Sequence, residues 1–169
     1  MSSEPDTLWL REVRYISQFL PHRMSTAARP AQVDKLVKRF ARINDPKRRY
    51  EQLLWYAKKL AAFPAEEKTA ENKVPGCVSQ VYVTASLDQD GVSFQGDSDA
   101  QITKGLLAML IIALDGLSPT EIVKLSPDFI KETQLDVSLT PSRANGFYNI
   151  FKMMQQKALS LTGSDTSEG

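Results

Sequence analysis

The chain has 169 residues, 42% of them hydrophobic, and its 21 Lys and Arg nearly balance 20 Asp and Glu. The resulting net charge of +1 excludes a global electrostatic drive toward nucleic acid or an acidic surface. One Cys excludes an intrachain disulfide framework and a zinc site built on several thiolates, and it fits a reducing compartment. The longest apolar run, residues 106–114, falls well short of the ~20 residues that span a bilayer, so one soluble domain is expected, with no membrane partner.

Residues 1–29 mix Arg11, Arg14, Arg23 and Arg29 with Glu4, Asp6 and Glu12 and lack the apolar core of a secretory signal. They read as a mobile N-terminal extension. From Ala31, the residues Val33, Leu36, Val37 and Phe40 recur at helical spacing, with Lys35, Lys38, Arg39 and Arg42 on the opposite side. Asp45 before Pro46 predicts a capped start for a second helix that buries Tyr50, Leu53, Leu54 and Ala57 and ends before Pro64. Residues 78–87 are rich in β-branched and aromatic side chains and read as a strand with Val81 and Val83 on one face. Asp90-Gly91 signals a hairpin turn, because glycine reaches positive φ cheaply, and residues 92–95 supply a short return strand. Asp97 and Asp99 are expected to cap an almost wholly apolar, central helix that ends at Leu114. Ser118-Pro119-Thr120-Glu121 is a capping box, and Ser126-Pro127 and Thr140-Pro141 repeat the cap-then-proline pattern. The last helix should bury Phe147, Ile150, Phe151 and Met154 and fray into a disordered tail over 162–169. The order is helix, helix, β-hairpin, then four helices. Strands that are grouped rather than alternating with helices indicate an α+β fold.

The chemical inventory is short. The one histidine, His22, lies in the extension, so a Cys-His hydrolase would have to recruit its base from a mobile segment, and no Gly-rich phosphate loop, metal-spaced His pair or Cys-x-x-Cys occurs. Cys77 remains. It follows the turn-forming Val74-Pro75-Gly76 and stands at the mouth of a strand, a context in which a thiol can be offered to a macromolecule, beside the commoner reading of an inert, buried cysteine. Nothing adjacent guarantees a low thiol pKa. A single thiol can still accept and pass on one sulfur atom by the displacement logic of thiol–disulfide exchange.

Asn72, Gly76-Cys77, Ser79-Gln80-Val81, Gly96-Asp97-Ser98-Asp99-Ala100, Lys104-Gly105-Leu106 and Leu139-Thr140-Pro141-Ser142-Arg143 with Gly146 together resemble the SufE family of sulfur acceptors. Pro46-Lys47-Arg48-Arg49-Tyr50 and Ala144-Asn145-Gly146-Phe147 look like its cyanobacterial and plastid branch. The resemblance implies a SufE/IscU-like fold over residues 30–161, with a small antiparallel sheet packed by several helices. It implies that Cys77 takes persulfide sulfur from a SufS-like cysteine desulfurase, stimulates that enzyme, and passes the sulfur to a SufB-containing iron–sulfur scaffold. On this reading the chain binds no cofactor or metal of its own, and pyridoxal phosphate resides in the desulfurase. Gly76 would turn the loop, while Ser79, Gln80, Asp99 and Arg143 would hold it or meet the partner. The first-turn charge of Arg143 would need a carboxylate such as Asp99 beside it. The compartment expected is the bacterial cytosol, or the plastid stroma in a photosynthetic eukaryote.

An alternative is a binding module with a structural Cys77. Residues 31–60 hold nine Lys or Arg against Asp34, Asp45 and Glu51. No interleaved exposed aromatic is expected there, so a solvated face, or docking to an acidic desulfurase surface, is favoured over nucleic acid.

Overall fold

A computed structural model describes residues 29–163. The expected extension, apart from Arg29, and the expected tail from residue 164 onward lie outside the described residues. Two helices come first, α1 (Ala31–Ala41) and α2 (Pro46–Lys59). A 3-10 turn over Ala65–Glu67 leads to the hairpin of β1 (Val81–Asp88) and β2 (Gly91–Ser98). Five helices follow: α3 (Gln101–Leu114), α4 (Pro119–Lys124), α5 (Asp128–Glu132), α6 (Leu135–Ser138) and α7 (Pro141–Thr162). This is the α+β arrangement expected. Among the described residues no helix is long and apolar enough to cross a membrane.

The architecture follows from where the apolar faces must go. α3 carries buried Leu106, Leu107, Met109, Leu110, Ala113 and Leu114, too many for one stripe, so it has to be covered on several sides. α2, β2, α7 and α1 provide that cover. Closest approach to α2 occurs at Gly105, where a Cβ would run into the backbone carbonyl of Leu53. The face of α1 is the one read from periodicity, with Val33, Leu36, Val37 and Phe40 all buried. Asp45 caps α2, its carboxylate accepting the Lys47 N–H, and the Ser118–Glu121 capping box forms in full.

Several expectations are corrected. Tyr56, not Leu54, turns into the core from α2; Leu54 is exposed, and Tyr50 is only partly covered, its hydroxyl donating to the Ser138 carbonyl. β1 begins at Val81 rather than Val78, because residues 75–80 leave the sheet as a loop. The hairpin closes through Gln89 and Asp90, with Gly91 at φ +122 as the first residue of β2. Every β1 residue has a partner, so β2 runs on to Ser98. This continuation draws Asp97 into the ladder, and neither it nor Asp99 caps α3, whose N-cap residue is Ala100 without a side-chain bond. The extra helix α6 follows Gln134, a non-glycine residue at φ 59, and no cap-then-proline signal precedes it.

Candidate functional site

The loop holding Cys77 is anchored at both ends. Before it, residues 72–74 run beside β1: the Val83 N–H donates to the Asn72 carbonyl, Lys73 bridges Tyr82, and the Val74 N–H donates to the Val81 carbonyl at 2.8 Å. Asn72 is itself held, its amide donating to Glu67 and its oxygen accepting from Lys157 at 2.9 Å. The six residues between Val74 and Val81 therefore form a closed loop rather than a tether.

Inside the loop, each expected residue has a definite place. Gly76 adopts φ +76, where a side chain is strained, and a Cβ there would stand 2.7 Å from the Asn149 amide nitrogen. That amide donates to the Gly76 carbonyl at 3.3 Å and ties the turn to α7. Ser79 meets Thr103 of α3, hydroxyl to hydroxyl at 3.5 Å. Gln80 and Asp99 bond reciprocally: the Gln80 N–H donates to the Asp99 carboxylate at 3.0 Å, and the Asp99 N–H donates to the Gln80 carbonyl at 3.2 Å. Asp99 is thus committed to the loop and does not pair with Arg143, which has no ion pair among the described residues. The neighbouring Asp97 takes Lys68 and Lys104 at 3.0 and 3.2 Å, which hold its carboxyl below the usual range despite partial burial.

Cys77 is partly buried. Its thiol faces α7, with Sγ 3.8 Å from the Gly146 carbonyl oxygen, a long contact in which S–H is the donor. A Cβ on Gly146 would lie 3.6 Å from the sulfur, an ordinary van der Waals contact, so this part of α7 packs directly against the thiol. Val78, Ser79, Thr103, Ser142 and Arg143 complete a cavity of about 20 Å³ around it, room for little more than one water-sized atom. Val74 is 1% exposed in the core behind the loop, and Val78 is 89% exposed on its outside.

Burial pushes the Cys77 thiol pKa up, and the acceptor carbonyl also favours the protonated form. The resting group is a neutral thiol. Thr103 and Asn149 are the contributors that sequence reading missed. Thr103 carried a faint signal as a hydroxyl within an apolar helix, whereas Asn149 carried none, since its partner is a backbone carbonyl 73 positions away. Among the described residues no three His, Cys, Asp or Glu side chains stand together as a metal site.

The family model described as "SufE: Fe-S metabolism associated domain" matches residues 34–158. An uncharacterized SufE-like protein of Synechocystis is 62% identical over 147 residues, covering 86% of this chain and 92% of its own. SufE-like protein 1, chloroplastic/mitochondrial, of Arabidopsis thaliana is 46% identical over 133 residues; the match covers 78% of this chain but only 36% of that longer protein. The fold recurs in the solution structure of a hypothetical protein from Thermus thermophilus, with a TM-score of 0.69 at 21% identity, covering 79% of this chain and 98% of the other. The chain belongs to the SufE family, in its cyanobacterial and plastid branch, and is a sulfur-transfer protein of iron–sulfur metabolism.

Proposed function

We propose that Cys77 is the sulfur-carrying residue, loaded by a SufS-like cysteine desulfurase and unloaded onto a SufB-containing iron–sulfur scaffold. The observation that carries this reading is the geometry around the chain's one thiol: a loop stapled at several points presents Cys77 at its tip, next to a cavity of atomic size and a guanidinium without an ion pair among the described residues.

The step is a displacement at sulfur. Cys77 gives up its proton, and its thiolate attacks the outer sulfur of the donor's persulfide. A new S–S bond forms on Cys77 while the donor's S–S bond breaks, and the donor cysteine leaves as a thiolate that takes the proton. No net oxidation occurs, so no redox cofactor is required. Removal of its product would let the desulfurase turn over faster, and pyridoxal phosphate belongs to that partner. Because the resting thiol is neutral, docking has to withdraw Cys77 from the Gly146 carbonyl and expose it to a base or positive charge. Arg143 supplies charge at the cavity wall. The Asp99–Gln80 and Asn149–Gly76 bonds keep the two ends of the loop fixed while its tip moves. The compartment we propose is the bacterial cytosol, or the plastid stroma.

Mass spectrometry after incubation with a cysteine desulfurase and cysteine tests this directly. The chain should gain about 32 Da, one sulfur atom, on Cys77, and dithiothreitol should remove it. Cys77→Ser should gain nothing, should fail to stimulate the desulfurase, and should still bind it within about threefold of the parent affinity, a difference under ~1 kcal/mol. An unmodified parent chain beside an active cognate desulfurase would leave Cys77 a structural residue.

A further inference from the structure

On the face formed by α1 and α2, a groove stands apart from the thiol site, and no residue lines both. Its two lobes, of about 780 and 580 Å³, adjoin at the shared Arg39 and Trp55. Lys35, Arg39, Arg42, Arg48 and Lys59 line it against only Asp45 and Glu51. None of these five cations has an ion pair among the described residues. At the centre lies Trp55, 44% exposed, and at one edge Ile112, 46% exposed. This interleaved aromatic corrects the expectation that the basic helices carry none. The indole is held in place: Tyr56 meets it edge-on at 5.1 Å, while Arg39 and Lys59 lie over its ring at 5.5 and 4.9 Å.

A merely solvated charged face does not need a fixed, half-exposed tryptophan among unpaired cations. That combination is the composition of a protein interface, where Trp and Arg supply the anchors. We propose that this groove docks an acidic peptide segment of a protein partner, its carboxylates on Arg39, Arg42 and Arg48 and an apolar side chain against Trp55 and Ile112. Nucleic acid fits less well. Asp45 and Glu51 interrupt the groove's cations and would oppose a continuous phosphate track, whereas the few carboxylates of a short peptide can seat between them. The proposal goes beyond the sulfur-carrier reading and does not depend on it. α3 links the two places, contributing Thr103 to the thiol cavity and Ile112 to the groove, ~13 Å apart along its axis at 1.5 Å per residue. A partner held at the groove therefore leaves the Cys77 loop free to move.

The test uses the full chain and a fluorescein-labelled peptide of alternating Asp and Glu around a central Leu-Phe pair, read by anisotropy at physiological salt. Its Gln/Asn counterpart and a labelled oligothymidylate serve as competing probes. Arg48 and Lys47 are neighbours in the first turn of α2, where a carboxylate suits the helix dipole equally, but only Arg48 lines the groove. Arg48→Glu should weaken the acidic peptide about tenfold and Lys47→Glu less than about threefold. Trp55→Ala should also weaken it about tenfold, with circular dichroism unchanged; if that variant unfolds, broadening or shift of the Trp55 indole NH signal on titration of the parent chain replaces it. The proposal is overturned if the peptide fails to bind, if the Gln/Asn peptide binds as well, if Lys47→Glu costs as much as Arg48→Glu, if the Trp55 signal is unmoved, or if oligothymidylate binds more tightly than the peptide.

Discussion

Cys77 shows how a side chain's chemistry is set by what touches it rather than by its neighbours in sequence. Val74 and Val78 flank it in the chain, yet its hydrogen-bond acceptor and most of the cavity wall come from α7 and α3. Partial burial and the Gly146 carbonyl both stabilise the neutral thiol, so its titration lies above the ordinary thiol value. The sign is definite. The thiolate fraction at neutral pH is smaller than that of a free cysteine, and alkylation should be correspondingly slow. The rate of reaction with iodoacetamide should rise with pH to a midpoint above ~8.5, and the midpoint should return to that value when the chain is unfolded in urea. A folded-state midpoint at or below the unfolded one would mean that the cavity favours the anion. Asp99 offers a second test. Its carboxylate accepts the Gln80 N–H, and Asp99→Ala leaves that donor to water or unpaired, a cost of about 1–2 kcal/mol. Alkylation of Cys77 should accelerate in this variant beyond what its loss of global stability accounts for, measured against urea denaturation of the same sample. Equal changes in both would assign Asp99 to the fold as a whole rather than to the loop.

Among the elements, the contact between α2 and α3 places two effects in opposition. Helix propensity alone says that Gly105→Ala, in the interior of α3, should stabilise by ~1 kcal/mol. Packing says the reverse, because the new Cβ would meet the carbonyl, carbonyl carbon and Cβ of Leu53, and backbone cannot rotate aside as a side chain can. Overpacking of this kind costs about 3 kcal/mol, so the net effect should be destabilising by about 2 kcal/mol, seen as a lower urea midpoint with unchanged m. A stabilised variant would show that α2 can slide without cost. The elements that sequence reading located correctly are those whose signals are local: the α1 stripe, the Asp45 cap and the Ser118 box each depend on residues within a turn or two. The misread ones depend on distant partners. The length of β2 is fixed by pairing with all eight residues of β1; that pairing takes Asp97 from the helix start, and the Gln80 N–H takes the Asp99 carboxylate. Likewise, Val74-Pro75-Gly76 signalled the turn that leads to Cys77, but α7 approaches it through Gly146 and Asn149, a long-range relation that periodicity cannot express.

At the scale of the molecule, the question is where the self-sufficient unit begins. Arg29, the first described residue, donates to Asp34 at 3.1 Å and to Glu132 at 2.7 Å, joining the start of α1 to the end of α5. Those bonds, and the Val33 and Asp34 N–H groups that donate to the Pro30 carbonyl, need nothing before residue 29, and the family match begins at residue 34, within α1. Every residue around the thiol lies between Asn72 and Lys157. Deleting residues 1–28 should therefore leave melting within a few degrees of the parent, since a change of 1 kcal/mol moves Tm by only about 2–4 °C in a chain near this size. Sulfur uptake on Cys77 should also persist, measured by mass gain beside the desulfurase. Removing residue 29 as well tests the boundary. Exposed ion pairs contribute about 0–1 kcal/mol each, so loss of two should produce a small but measurable drop in Tm that Arg29→Ala reproduces in the full chain. If the shorter deletion keeps its melting temperature and yet loses sulfur uptake, residues 1–28 carry a docking function, and the unit that transfers sulfur is larger than the unit that folds.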